Sequence, residues 1–250
     1  MPIELHDRDG KLLFVAPAAR TVKDAVVEAV RRGAELTGVM LDAAALDGAD
    51  LEEARLSGAS LRGASLRNVN LEEAMLAAAD LTGARLDGVN FEEADLSGAV
   101  LVDASANGAN FEEARLRGAD LTRAALDGAN FEEADLRDAR FVGARLSRAN
   151  LEKCDLRGMD ATAAKLAASN LEKCDLRGAK LTGADLGGAN LEKADLRGAD
   201  LTGADLRDAN LERADVDETQ FHDAKMEGAN LARVRGRPAG PPTGGAGPYR

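Results

Sequence analysis

The side chains best suited to nucleophilic, redox or metal chemistry in this 250-residue chain are two cysteines, Cys154 and Cys174, and two histidines, His6 and His222. A Cys–His nucleophile or a tetrahedral metal site needs such residues brought together in space. His6 and His222 lie near opposite ends of the sequence, with no triad or ligand pattern beside either. No glycine-rich phosphate loop follows a strand in a βαβ context. Charge is the more plentiful resource. Glutamates come in pairs: Glu52/Glu53, Glu72/Glu73, Glu92/Glu93, Glu112/Glu113 and Glu132/Glu133. Beyond them the second Glu is replaced by Lys153, Lys173, Lys193 and then Arg213. A second set, Arg117, Arg137, Arg157, Arg177 and Arg197, runs at the same spacing beside Asp135, Asp155, Asp175 and Asp195. These residues supply an electrostatic surface rather than a reaction centre. No catalytic, cofactor-binding or metal-binding residue is expected, and the chain reads as a non-enzyme.

What must position those charges is a repeat. From Ala34 to Arg233 the chain reads A-x-L-x-x in unbroken phase, 40 units in all, with Leu or Phe at 36 of the large positions. The other four are Ala106, Ala161, Val216 and Met226. The residue two before each is Ala in 32 units, and Cys154 and Cys174 occupy two of the rest. A period of five drifts around an α-helix of 3.6 residues per turn and cannot make one apolar face. A small and a large apolar residue two apart instead point to one side of an extended segment, and the remaining residues suit a corner. Helix would also scatter Gly through its interior at about 1 kcal/mol each. The pattern is that of a β-solenoid.

A second period sets the number of sides. Asn-Leu/Phe-Glu-Glu/Lys recurs every 20 residues from Asn70 to Asn190, with variants at Asp50, Asn210 and Asn230. Twenty residues are four units, so position n lies under n + 20 on a four-sided coil. Ten coils at a strand spacing of about 4.8 Å make a rod roughly 45 Å long. Phe91, Phe111 and Phe131 then stack on three successive coils as an aromatic core ladder. Cys154 and Cys174 stack too, close enough for a disulfide, although parallel inward side chains suit two buried thiols better.

Tandem A-[DN]-L-x-x, as in Ala194-Asp195-Leu196-Arg197-Gly198-Ala199-Asp200-Leu201, resembles the pentapeptide-repeat family, and the resemblance covers 200 of the 250 residues without an insertion. It implies an all-β chain, a right-handed quadrilateral β-helix with both apolar positions inside. It also implies that some relatives bind DNA gyrase or topoisomerase IV as DNA mimics, and that some dimerise through a C-terminal element.

The ends differ from the repeat. Residues 1–33 read as a cap: two apolar runs around Asp7-Arg8-Asp9-Gly10 form a hairpin, and Thr21 starts a short helix that Gly33 stops. Residues 34–233 are the solenoid, and residues 234–250 a disordered Pro/Gly tail. No C-terminal helix is visible, so a dimer would form end to end through the last coil, or the protein would be a monomer.

Composition narrows the partners. Aromatics are 3% and the net charge is −12, which excludes an aromatic-rich core and argues against direct contact with nucleic acid or anionic lipid. No apolar run reaches the roughly 18 residues of a membrane span, and the N-terminus does not read as a signal peptide, so a cytoplasmic location is expected. Residues 34–133 carry 20 acids against 7 bases, whereas residues 134–233 carry 19 against 16. The expected function is a non-catalytic scaffold for another protein, bound through its flat charged sides, with the Glu pairs as first candidate surface and the ladder Arg117, Arg137, Arg157, Arg177 and Arg197 as second, or through the terminal coil. One alternative is an acidic DNA mimic of gyrase or topoisomerase IV; another is an effector or adaptor of a bacterial secretion system.

Overall fold

The computed structural model describes residues 1–239. The chain opens with an antiparallel hairpin, β1 (Ile3–His6) and β2 (Leu12–Ala16), followed by one helix, α1 (Val22–Arg31). Thr21 accepts from the Asp24 amide while the Asp24 carboxylate accepts from the Thr21 amide, a reciprocal N-cap. Gly33 at φ 65° lets the chain leave the helix, and Ala25, Val26 and Ala29 bury the inner face. The hairpin is stitched to the solenoid: the Met40 amide donates to the His6 carbonyl at 2.9 Å, and Asp7 pairs antiparallel with Val39. That contact covers the sheet edges the first coil would otherwise expose.

From Glu35 onward every bridge is parallel and joins residues 20 apart, from Glu35–Arg55 through Asp215–Arg235, in four ladders five residues out of phase. The five-residue unit has one hydrogen-bond plan. In the unit at Leu51, the Leu51 amide donates to Asn70 O of the next coil at 2.9 Å, the Glu53 amide to Glu72 O at 2.9 Å, and the Ala54 amide closes a turn on Leu51 O at 3.1 Å. The second residue after each large apolar one has φ between 53° and 76° throughout, the mark of a type II turn. Each unit is therefore a short bridge and a tight corner.

Both apolar positions point inward. From Leu36 to Val216 every large one is at most 3% exposed. Phe91, Phe111 and Phe131 stack at 4.9 and 4.6 Å between centroids with nearly parallel rings, and Phe141 meets Phe131 edge-on at 6.1 Å. Polar side chains at the small inward position find carbonyls. Ser169 Oγ donates to Leu166 O and Thr219 Oγ1 to Leu196 O, each at 2.7 Å. The cysteine thiols do likewise, Cys154 to Phe131 O and Cys174 to Leu151 O at 2.8 Å, and both are free. Burial pushes the Cys154 thiol well above its ordinary range, with Cys174 adding to the shift.

The far end departs from the expected boundary at Arg233. The amides of Val216 and Glu218 donate to Arg235 O and Arg237 O, and the Ala239 amide to Thr219 O. Residues 234–239 therefore add to the last coil, because the backbone groups there still need partners; the rest of the expected tail, residues 240–250, lies outside the described residues. Met226, Ala229, Leu231 and Val234 are only partly buried, so this end lacks the cover the N-terminal coil receives.

Candidate interaction face

One of the four sides is built from the rows Asn-Leu/Phe-Glu-Glu/Lys, and its first polar layer is an amide ladder. Nδ2 of each Asn donates to Oδ1 of the Asn one coil earlier: Asn90 to Asn70 at 3.2 Å, Asn110 to Asn90 at 3.0 Å, and onward to Asn230 on Asn210 at 2.9 Å. The same Oδ1 accepts from the amide two residues on, as Asn110 does from Glu112 at 3.3 Å. Nδ2 also reaches the first Glu of the preceding row, Asn110 to Glu92 Oε2 and Asn90 to Glu72 Oε2 at 3.2 Å. The recurrent Asn looked in the sequence like a marker of period. Over five rows it is a positioning device that holds Glu72, Glu92, Glu112, Glu132 and Glu152 half-buried against the face.

The second Glu of each row is exposed and sits at the positive-φ turn position. Left-handed backbone costs a residue with a Cβ roughly 1–2 kcal/mol, and on the other three sides Gly fills this position in 18 of 30 units. On this side Gly never appears. The ten residues are Glu53, Glu73, Glu93, Glu113, Glu133, Lys153, Lys173, Lys193, Arg213 and Arg233, at φ 54° to 62°. Ten charged side chains in succession occupy a conformation that favours glycine.

The ion pairs divide the predicted Glu ladder. Lys153 Nζ lies 3.1 Å from Glu132 and 2.8 Å from Glu133, so the fifth pair is neutralised from the row above. Lys173 bridges Glu152 and Glu172, Lys193 bridges Glu172 and Glu192, and Arg213 and Arg233 continue at 3.6–3.7 Å. No ion pair is formed by Glu52, Glu53, Glu72, Glu73, Glu92, Glu93, Glu112 or Glu113 among the described residues. Lost hydration and then the neighbouring carboxylates, Glu72 first, push Glu52 and Glu92 above the ordinary range. Glu172 is shifted the other way, chiefly by its hydrogen bond from Lys173.

The Arg column, the second predicted surface, is closed on itself. Arg137, Arg157, Arg177 and Arg197 each fork onto the Asp two residues earlier, with Nε–Oδ1 distances of 2.7–2.8 Å. The first three also reach the Asp one coil on at 3.5–3.6 Å. Those Arg hydrogen bonds hold Asp135, Asp155 and Asp195 below the usual carboxylate range. Arg117 is held more loosely, 3.8 Å from Asp138. The histidines stay apart, His6 beside Glu4 and His222 beside Asp223, and no cluster of three or more metal-ligating side chains occurs among the described residues.

The family model for pentapeptide repeats matches in eight copies across residues 29–158, and a pentapeptide-repeat-region model matches residues 144–221. No curated protein matches the chain. Among solved structures, it is similar to HetL, a pentapeptide repeat protein involved in heterocyst differentiation regulation from the cyanobacterium Nostoc sp. strain PCC 7120. The identity is 34%, over 84% of this chain and 93% of that one, with a TM-score of 0.44. It is also similar to QnrB1, a plasmid-mediated fluoroquinolone resistance protein. There the identity is 20%, over 76% of this chain and 91% of that one, with a TM-score of 0.48.

Proposed function

Because the chain belongs to the pentapeptide-repeat family, as the matches over residues 29–221 establish, we propose that it is a non-catalytic scaffold that docks a basic protein surface. The docking side is the acidic part of the Asn-Leu/Phe-Glu-Glu face, four rows from Glu52 to Glu113. One observation carries the proposal: these rows keep an unpaired carboxylate at a turn position where glycine would be easier, while the Lys153–Arg233 stretch of the same column and the Arg137–Arg197 column are internally paired. We read the coil as right-handed with about ten turns, in line with the family, and place the protein in the cytoplasm, which suits its two free thiols. An affinity capture tests the docking. Wild type should retain a partner that Glu73→Lys/Glu93→Lys/Glu113→Lys loses; equal capture by both removes this face from consideration. Fractionation of cells that express the protein checks the location.

A second reading is favoured by charge density. Two carboxylates per roughly 4.8 Å rise give one charge per roughly 2.4 Å, near the one per roughly 1.7 Å of duplex DNA. The acidic rows then stand in for DNA in the basic saddle of gyrase or topoisomerase IV. If so, the protein at micromolar concentration alters gyrase supercoiling, and reversal at Glu92, Glu93, Glu112 and Glu113 abolishes the effect. No change in supercoiling with wild type sinks this reading and leaves the scaffold standing.

A further inference from the structure

The exposed column of the Asn-Leu/Phe-Glu-Glu face has an internal order that a docking surface for an outside partner does not need. Along the rod it reads five acids and then five bases: Glu53, Glu73, Glu93, Glu113, Glu133, then Lys153, Lys173, Lys193, Arg213 and Arg233. The sequence of signs is antisymmetric about the level between Glu133 and Lys153. A two-fold axis lying in the face, perpendicular to the rod at that level, turns each acid of one copy onto a base of another. Glu133 then meets Lys153, Glu113 meets Lys173, Glu93 meets Lys193, Glu73 meets Arg213 and Glu53 meets Arg233. We infer that this face is self-complementary, and that two copies of the chain pair through it side by side and antiparallel. This is the isologous arrangement of a two-fold dimer, in which each surface patch serves both partners.

The recessed column has to be counted too, because it is acidic along nearly its whole length. An acidic row such as Glu92/Glu93 carries two negative charges, whereas its counterpart, Glu192/Lys193, is already balanced by the 2.7 Å pair between its members. Antiparallel pairing therefore sets four doubly charged rows against neutral ones, with the cation in the outer column and the recessed carboxylate behind it, and sets Glu52/Glu53 against the singly positive row Ala232/Arg233. Parallel pairing would set doubly charged rows against each other. The net charge of −12 opposes approach at long range, but that repulsion is screened beyond about 8 Å at physiological salt. A face about 45 Å long and about 10 Å wide buries about 900 Å² over both copies, below the size of stable complexes. The dimer is accordingly weak and concentration-dependent.

The inference rests on the reading of this face as an interface but assigns it a different occupant, and charge exchange tells the two apart. In sedimentation velocity between about 1 µM and about 0.5 mM, a range suited to a weak complex, wild type should move from 26.1 kDa toward twice that mass. Glu93→Lys/Glu113→Lys alone and Lys173→Glu/Lys193→Glu alone should each stay monomeric. An equimolar mixture of the two should regain the dimer, since every exchanged residue meets its opposite in the mixed pair. A monomer throughout the wild-type series, or a dimer indifferent to the exchanges, as pairing through the last coil would be, overturns the inference. The Lys173→Glu/Lys193→Glu protein keeps Glu52–Glu113, so it should still bind a short polylysine probe. If no variant and not wild type binds that probe, the docking reading fails while the dimer assay stands by itself. Circular dichroism confirms that both variants are folded.

Discussion

Rows Glu72/Glu73 to Glu112/Glu113 and rows Glu152/Lys153 to Glu192/Lys193 share one backbone, one Asn ladder and one turn, and their outward side chains differ at a single position per row. In the first set no carboxylate pairs with a cation among the described residues; in the second each Lys reaches carboxylates on two rows or one. The fold is indifferent to the choice, because inward residues and backbone hydrogen bonds carry it. Charge on this side can thus vary almost independently of stability, which is what a surface shaped by binding requires. Exposed ion pairs contribute only about 0–1 kcal/mol each, so the pairing in the second set is weak as a stability device. Its larger consequence is electrostatic: it confines the unneutralised charge to one stretch of the rod.

The largest expected effect is on the ladder both stretches share. Asn110→Ala removes two donated bonds and two accepted ones, and with them the hydrogen bond that anchors the Glu92 carboxylate. An unsatisfied, partly buried polar group costs about 1–3 kcal/mol. Asn190→Ala loses the ladder bonds but no carboxylate contact, and Glu172, the carboxylate in the place of Glu92, keeps Lys173 and Lys193. Urea melts should show a clear loss for both, larger for Asn110→Ala. Equal losses would mean that the Asn–carboxylate bond does not matter.

Next is the turn residue. Glu93→Gly relieves left-handed strain of about 1–2 kcal/mol against an unfolded-state cost of about 0.5–1 kcal/mol for Gly, and it removes one like charge. It should raise the melting temperature by a few degrees. Lys173→Gly gains the same backbone relief but gives up its pairs to Glu152 and Glu172, so its gain should be smaller. A loss at Glu93→Gly would show that the charged column is held for stability after all.

Smaller again is Glu113→Lys. The new cation would face Glu92 and Glu93 as Lys153 faces Glu132 and Glu133, which should stabilise by a few tenths of a kcal/mol. In thermal melts Lys153→Glu should destabilise by a similar amount, because it extends the unpaired column by one row. If neither moves the midpoint, the column is electrostatically neutral for folding and its order reflects association alone.

Much of this was legible before any coordinates. The inward positions, the four sides and the stacking of Phe91, Phe111 and Phe131 follow from periods of five and twenty, since apolar residues at fixed spacing leave few ways to bury them. The candidate Glu residues were found by the same count, as was the relief that Lys153 brings. Three features were not legible. The positive φ of Glu53 and its successors depends on turn geometry that a pattern with Gly in only some units does not reveal. The closure of Arg137 on Asp135 depends on how two side chains fold back over one strand, so the Arg ladder, expected as a second candidate surface beside its Asp residues, is spent internally. The extension of pairing to Ala239 was likewise hidden, because Pro and Gly there suggest a tail while the backbone still finds acceptors.

Acid titration is the finest probe of the difference, with the smallest expected effect. Glu52 and Glu92 have native affinities for protons above those of an ordinary Glu, so the folded chain binds protons more readily than the unfolded one. The repulsion they carry is present above their folded values and fades as pH falls through that range, so the acidic rows should tighten on mild acidification. Asp135, Asp155 and Asp195 behave oppositely. Their folded values lie below the ordinary 3.8, so their contribution is intact above that point and is lost as pH falls through the folded values. Asp205 is pulled down to about 2, chiefly by its hydrogen bond from Arg207. Hydrogen exchange, corrected for the intrinsic rate, should therefore show amides around Glu52 and Glu92 gaining protection as pH falls toward the ordinary Glu value of 4.5. Amides of rows 135–197 should hold steady over the same interval and lose protection only in stronger acid. Parallel changes in both stretches would mean that the charges on this rod are too well solvated to distinguish its two ends.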